Sequence, residues 1–351
     1  MSQVPSVLIL SVSGIGNTIL QSPFIAALLA RADLAVDILF GNRGMAQVFA
    51  LDQRIREKYV LPGSVREKLD LVRRLRTQSY DYSFACFPSN RREFHLLPFL
   101  AGVRTRVCHE YDVGQLQTLS FLSNCKVATD VALHDVDQNL NLVRALGMAP
   151  ESLSRELVFQ VEAGASEFAE EFLGNRGLNA TPLIGIHAGC KRSESYRRWP
   201  SAQFVELIGR FNDTGRRCLL FAGPDELEET RAILAALPES AGNIIVEGVP
   251  LGQVAELIHC CQGFLSTDSG LGHVARAMGV PTLAIFGPAQ WSRTAPYGAR
   301  GAHIALQLAC SPCMKYPFEA THSRIDCPYE YRCLRELSAP AVFERLERLM
   351  A

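Results

Sequence analysis

Thr267-Asp268-Ser269-Gly270-Leu271-Gly272-His273 brings two hydroxyls, a carboxylate, two glycines and an imidazole into seven positions. The stretch follows the apolar run Gly263-Phe264-Leu265. It precedes a short helical segment, about Leu271 to Met278, that Gly279 and Pro281 end. Such a turn sets a helix N-terminus at the carboxyl end of a strand, where open α/β sheets bind ligands. Free backbone N–H groups and the positive end of the helix dipole favour phosphate there. His273, four residues after Ser269, shares its side of the first turn. A plainer reading, in which Asp268 or Ser269 only caps a helix, fits the same residues.

Three other groups carry chemistry. Arg197 and Arg198 stand just before Trp199-Pro200 and could meet an anion or simply face solvent. Gly14 and Gly16 flank the turn after the first apolar run, with Asn17 next to them. The third glycine of a dinucleotide fingerprint is missing, so this turn is better suited to close approach of a substrate than to cradling a pyrophosphate. Cys310 and Cys313 form a Cys-x-x-Cys pair, and Cys327 and Cys333 follow. Two thiolates at that spacing reach one metal ion, so a structural zinc or iron competes with reversible disulfides and with plain packing.

The elements that must position these residues alternate. Strands are expected at Val7 to Val12, Val36 to Phe40 and Tyr82 to Phe87. Helices are expected at Thr18 to Arg31, Ser64 to Gln78 and Asp135 to Gly147. A second series begins at Leu183 to His187 and runs through Arg217 to Ala222, Ile244 to Val246, Phe264 to Ser266 and Thr282 to Phe286, with a helix between successive strands. Two doubly wound α/β domains follow, residues 1–165 and 180–337, with a last helix in 338–351. At 351 residues the length suits two such domains.

Hydrophobic residues make up 48% and charged residues 20%, and the formal net charge of −1 gives no general attraction to nucleic acid. No charged leader precedes the first strand and no apolar run approaches the roughly 20 residues of a membrane span. A cytoplasmic protein is expected, in which eleven cysteines act as thiols rather than a disulfide frame. Arginines and lysines crowd positions 54–76, and Arg91, Arg92, Arg104 and Arg106 follow. That stretch suits either an anionic lipid surface or ordinary solvated helix faces, since Glu57, Glu67 and Asp70 interleave.

In order along the chain, these pieces resemble glycosyltransferase family nine, the ADP-heptose:lipopolysaccharide heptosyltransferases. The segments that carry the resemblance are Gly14-Ile15-Gly16-Asn17 through Pro23, His134-Asp135-Val136-Asp137-Gln138-Asn139, Ile186-His187-Ala188-Gly189 with Arg197-Arg198-Trp199-Pro200, and Thr267 to His273 with Gly287-Pro288. The resemblance implies the GT-B fold, two Rossmann-like domains facing across a cleft, with the last helix crossing back to the first domain. It implies inverting transfer of a sugar, foremost heptose from ADP-heptose, to a glycan or glycolipid acceptor such as lipopolysaccharide core. No cofactor is implied for the transfer. Contact with the inner membrane would be peripheral. Donor binding is implied for Gly189, Cys190, Arg197, Asp268, Ser269, Gly270, Leu271 and His273, and the acceptor side for Gly14 and Gly16. Arg197 stands where many members carry a phosphate-binding lysine.

Asn17 departs from the family, whose members often have aspartate there as the candidate general base. Asparagine cannot take a proton, so Glu93, His95, His109, Glu110 and Asp112 become alternatives. A catalytically degenerate nucleotide-sugar binder, or an enzyme such as an epimerase using another nucleotide sugar, are the rival readings.

Overall fold

The computed structural model describes residues 4–111, 114–190, 192–314 and 327–351; Asp112 and Lys191 lie outside them. The chain divides into two compact units, Met1–Gln160 and Val161–Ala351.

In the first unit the strands are β1 (Ser6–Ser11), β2 (Ala35–Phe40), β3 (Ile55–Val60), β4 (Tyr82–Ala85), β5 (Thr105–His109) and β6 (Cys125–Val127). In the second they are β7 (Leu183–His187), β8 (Arg217–Phe221), β9 (Ile244–Val246), β10 (Gly263–Thr267), β11 (Thr282–Ile285) and β12 (Gly301–Ile304). The sheet orders are β3-β2-β1-β4-β5-β6 and β12-β11-β10-β7-β8-β9. Every pairing is parallel. Each unit therefore has the doubly wound order in which the direction of winding reverses beside its first strand. That switch point lies between β1 and β4 in one unit and between β7 and β10 in the other.

The central strands are buried throughout: Ser6–Ser11 and Leu183–His187 contain no exposed residue. Helices cover both faces of such sheets, so apolar residues run continuously instead of alternating. The strand over Ile55–Val60 is less legible because it is an edge, with Arg56, Glu57 and Val60 exposed. It is fixed by a charge: Arg56 Nε and Nη2 donate to buried Asp37 on β2 at 2.9 and 2.7 Å, and Tyr80 donates its hydroxyl to the same carboxylate. The helix Val65–Thr77 opens with a reciprocal cap between Ser64 and Glu67.

The helix Asp135–Asn141 is shorter than its apolar pattern suggests and tightens into a 3-10 turn over Leu142–Leu146. The last helix is Ala339–Met350. It packs on the second sheet, with Val342 and Leu346 fully buried beside Leu207 and Phe211. Phe343 meets Phe211 at 5.0 Å between ring centroids, and Glu347 pairs with Arg216 at 2.8 Å. Its apolar stripe is thus used within the unit that carries it. Among the described residues no helix is long and apolar enough to cross a membrane.

Candidate active site

In the second unit the site grows from the carboxyl ends of three neighbouring strands. β10 ends at Thr267, and the helix Gly270–Ala277 starts three residues later with Ser269 as its N-cap. Thr267 donates its hydroxyl to the carbonyl of Gly189 at 2.7 Å, tying this turn to the turn after β7. Thr267, Asp268, Ser269, Gly272 and His273 line one small pocket together with Phe286 and Thr294. Gly272 leaves room there, because a Cβ would stand 2.4 Å from Ser266 Oγ and force that hydroxyl to move.

Arg197 reaches this turn from the segment before Trp199. Its Nη1 lies 3.2 Å from Asp268 Oδ2 and 3.3 Å from Glu194 Oε2. Burial alone would weaken the guanidinium's hold on its proton, but Asp268 and Glu194 outweigh it and hold the pKa raised. Burial lifts the Asp268 carboxyl above its ordinary range against the pull of Arg197 and Arg293. Arg198 points elsewhere: it pairs with Glu229 and donates to the Cys190 carbonyl at 3.0 Å. Trp199 anchors the segment, fully buried against Phe204 and donating its indole N–H to the Leu337 carbonyl at 3.0 Å. One arginine therefore pairs with a carboxylate that lines the pocket, and its neighbour is a strut.

Cys190 is buried, and its thiol donates to the Glu194 carbonyl at 3.1 Å; burial pushes its pKa up. Gly189 has a different task. A Cβ on it would come within 2.1 Å of Glu226 Cγ and 2.5 Å of its Cβ, so the glycine makes room for Glu226. Glu226, at the start of the helix after β8, accepts from the Gly223 N–H at 2.7 Å and lies 3.9 Å from His187 Nε2. The His187 ring, more than any other influence, holds the Glu226 carboxyl below its ordinary range against its own burial. The other ring nitrogen of His187 is 2.9 Å from Ser269 Oγ. Sequence reasoning names His187 only as part of a motif and misses Glu226, because their pairing needs β8, β7 and β10 side by side.

The switch point of the first unit is built the same way. Gly14 has φ 155°, a conformation that glycine tolerates and other residues rarely adopt. The helix Ile15–Leu29 begins after it with no side-chain cap, Gly16 and half-buried Asn17 in its first turn. Thr18, Ser11 and Gln21 form a buried chain behind the turn, and Gln21 Nε2 donates to the Phe87 carbonyl at 2.9 Å. Asn139 accepts from the Phe87 N–H at 2.8 Å, which gives the mid-chain His134–Asn139 motif a structural purpose.

Four of the five alternatives to Asn17 as base lie among the described residues. His95 and His109 are fully buried and pushed down to about 4 by desolvation, each hydrogen-bonded to a backbone carbonyl, of Ser89 and Gln138 respectively. Glu93 is held by Lys68 and Arg91 at 3.3 and 3.6 Å. Glu110 is exposed beyond the end of β5.

Cys310, Cys313, Cys327 and Cys333 line one cavity of about 230 Å³. The expected zinc or iron finds no support there: among the described residues no three His, Cys, Asp or Glu side chains are grouped to hold a metal ion. Cys333 is buried in the short helix Arg332–Arg335, its thiol pushed up to about 11 by burial and neighbouring thiols. Cys327 Sγ accepts from the Tyr331 N–H at 3.3 Å.

The glycosyltransferase family 9 (heptosyltransferase) model matches residues 68–322. The chain belongs to this family. It is 26% identical over 315 residues to lipopolysaccharide heptosyltransferase 2 of Escherichia coli, a match covering 86% of this chain and 88% of that protein. A match to lipooligosaccharide heptosyltransferase 2 of Campylobacter jejuni, 27% over 177 residues, covers 49% of this chain and 52%, about half, of that relative. Among solved structures, the family 9 glycosyltransferase of Veillonella parvula superposes with a TM-score of 0.81 over 100% of this chain and 98% of the other at 22% identity. That of E. coli ADP-heptose heptosyltransferase II gives 0.74 over 98% of each at 22%. The architecture is therefore that of the GT-B heptosyltransferases.

If Glu226 is seated by the missing side chain of Gly189, then Gly189→Ala should lower stability by about 1–3 kcal/mol through overpacking. Glu226→Gly in the same chain should relieve most of that loss. Chemical denaturation of the two single variants and the double variant measures this, and additive losses would contradict the contact.

Proposed function

We propose that the protein is an inverting glycosyltransferase that moves heptose from ADP-heptose to a lipopolysaccharide-core acceptor. The observation that carries the reading is the turn after β10, where a helix start without a side-chain cap lies within reach of a half-buried, charged Arg197. As the bond from the sugar's anomeric carbon to the diphosphate breaks, negative charge grows on the leaving oxygen. Helix N–H groups and a guanidinium stabilise such charge without reorganising. The acceptor oxygen attacks the opposite face of that carbon and loses its proton, which inverts the configuration. In this reading Asp268 and Glu194 hold the guanidinium in place until the diphosphate competes for it, and His273 adds a donor. No cofactor is required.

Asn17 is assigned to the acceptor, as a hydrogen-bonding partner of the attacking hydroxyl at the first unit's switch point. The same unit supports peripheral contact with an anionic bilayer. Phe99, Leu100, Leu116 and Phe121 are exposed, Arg106 lies over the Phe99 ring at 5.5 Å, and Arg92 and Arg104 are nearby in sequence. Apolar side chains among cations suit a surface that is both greasy and negative.

Transfer is tested by acceptor-dependent release of ADP from ADP-heptose. Arg197→Ala should weaken ADP binding about 10- to 150-fold, the worth of hydrogen bonds to a charged group. Arg198→Ala should change it far less and show its loss in stability. Equal effects on binding would remove Arg197 from the donor site.

Asn17→Asp supplies a base beside the attacking hydroxyl and should raise the rate at neutral pH by up to about 10²–10⁴-fold, the range a positioned base contributes. The gain should shrink as pH falls and the new carboxylate protonates. A variant slower than wild type at every pH in initial-rate profiles would assign proton removal to another group.

Liposome flotation checks the membrane surface. Wild type should float with vesicles containing anionic lipid and not with neutral ones, and Leu116→Ser/Phe121→Ser should float less. Equal recovery with both vesicle types would sink this part.

A further inference from the structure

Ser269 has the backbone of a helix N-cap, φ −145° and ψ 159°, and serine is among the preferred residues there because its hydroxyl accepts from the N–H of the second or third helical residue. In this helix the hydroxyl makes no such bond. It stands instead 2.9 Å from His187 Nδ1. His187 is the last residue of β7, paired in register with Ser266 of β10, and is only 6% exposed.

The other side of the ring is equally constrained. Glu226 Oε2 lies 3.9 Å from His187 Nε2, a distance of charge attraction more than of a close hydrogen bond. Glu226 is itself fixed: the Gly223 N–H donates to it at 2.7 Å, and a Cβ on either Gly189 or Gly223 would collide with its side chain. A carboxylate at Nε2 favours the proton on that nitrogen. Nδ1 of the neutral ring then accepts a hydrogen bond from the Ser269 hydroxyl, and in the protonated ring Nδ1 donates to the hydroxyl oxygen. In both states the oxygen stays with the ring.

A capping oxygen and an anionic ligand compete for the same helix N–H groups. We propose that His187 is a positioning residue that holds the Ser269 hydroxyl away from the start of the helix Gly270–Ala277, keeping its first N–H groups open to the donor's diphosphate. Glu226 orients the ring that does so. The inference rests on the donor reading given above and adds to it the device that keeps the seat vacant.

The test is calorimetric titration of the full chain with ADP. His187→Ala frees Ser269 to cap its own helix and should weaken ADP binding about 3- to 30-fold, the range of equilibrium change a serine cap supplies. In turnover the defect should fall on the donor KM and leave kcat nearly unchanged. Removing the hydroxyl as well should undo the damage, so His187→Ala/Ser269→Ala should bind ADP more tightly than His187→Ala alone. His187→Asn, whose amide reaches the place of Nδ1, should restore binding to within about threefold of wild type, since it still holds the hydroxyl. Asn keeps the site filled, so it carries the test even where the alanine variants fail to fold. A double variant no better than His187→Ala, or an asparagine variant as weak as alanine, overturns the proposal. All variants binding like wild type overturns it alone, whereas a wild type that binds no ADP removes the donor reading and this proposal with it.

Discussion

The parallel sheet with reversed winding is the constraint on which everything else in this protein depends. Where the connections from the first and fourth strands leave on opposite faces, the carboxyl ends of those strands stay uncovered, and the helices that follow point their N–H groups into the gap. Both units share this order. Gly14 and Asn17 occupy the gap in one, and His187, Gly189, Asp268 and Ser269 occupy it in the other. Backbone polarity is exposed there by the topology, whatever the side chains.

Burying charge around such a gap is costly unless each group has a partner. The second unit meets this with two chains of contacts. Glu194 and Asp268 flank Arg197, and Gly223, Glu226, His187 and Ser269 follow one another across β8, β7 and β10. Glycines do double duty, since Gly189 and Gly223 lack the side chains that would displace Glu226. At Gly189 the missing side chain is room for another residue of the protein, Glu226.

Apolar anchoring makes these placements repeatable. Trp199 is locked between Phe204 and the Leu337 carbonyl, and the final helix closes over Phe211 and Leu207. The direction of Arg197 is thus set by a tryptophan two residues away, and the opposite direction of Arg198 by Glu229. Two adjacent arginines with the same composition and the same local sequence take unlike roles because only one has its partner at the pocket.

By itself the sequence determined the alternation of buried strands and helices, and with it the two doubly wound units. A run such as Val7–Leu10 or Ile184–Ile186 leaves few other ways to hide its side chains from water. It also marked the turn after Gly263-Phe264-Leu265, since glycines and a cap residue at the end of a buried run restrict the backbone locally. Edge strands such as Ile55–Val60 were not legible, because their charged residues are settled by one partner on a neighbouring strand, Asp37. The pairing of His187 with Ser269 and Glu226, the burial of the Cys190 thiol, the spacing of the four cysteines around a cavity, and the docking of the last helix on its own unit were decided only by tertiary structure. Each depends on which residues distant in the chain become neighbours, and sequence spacing carries no information on distances across strands.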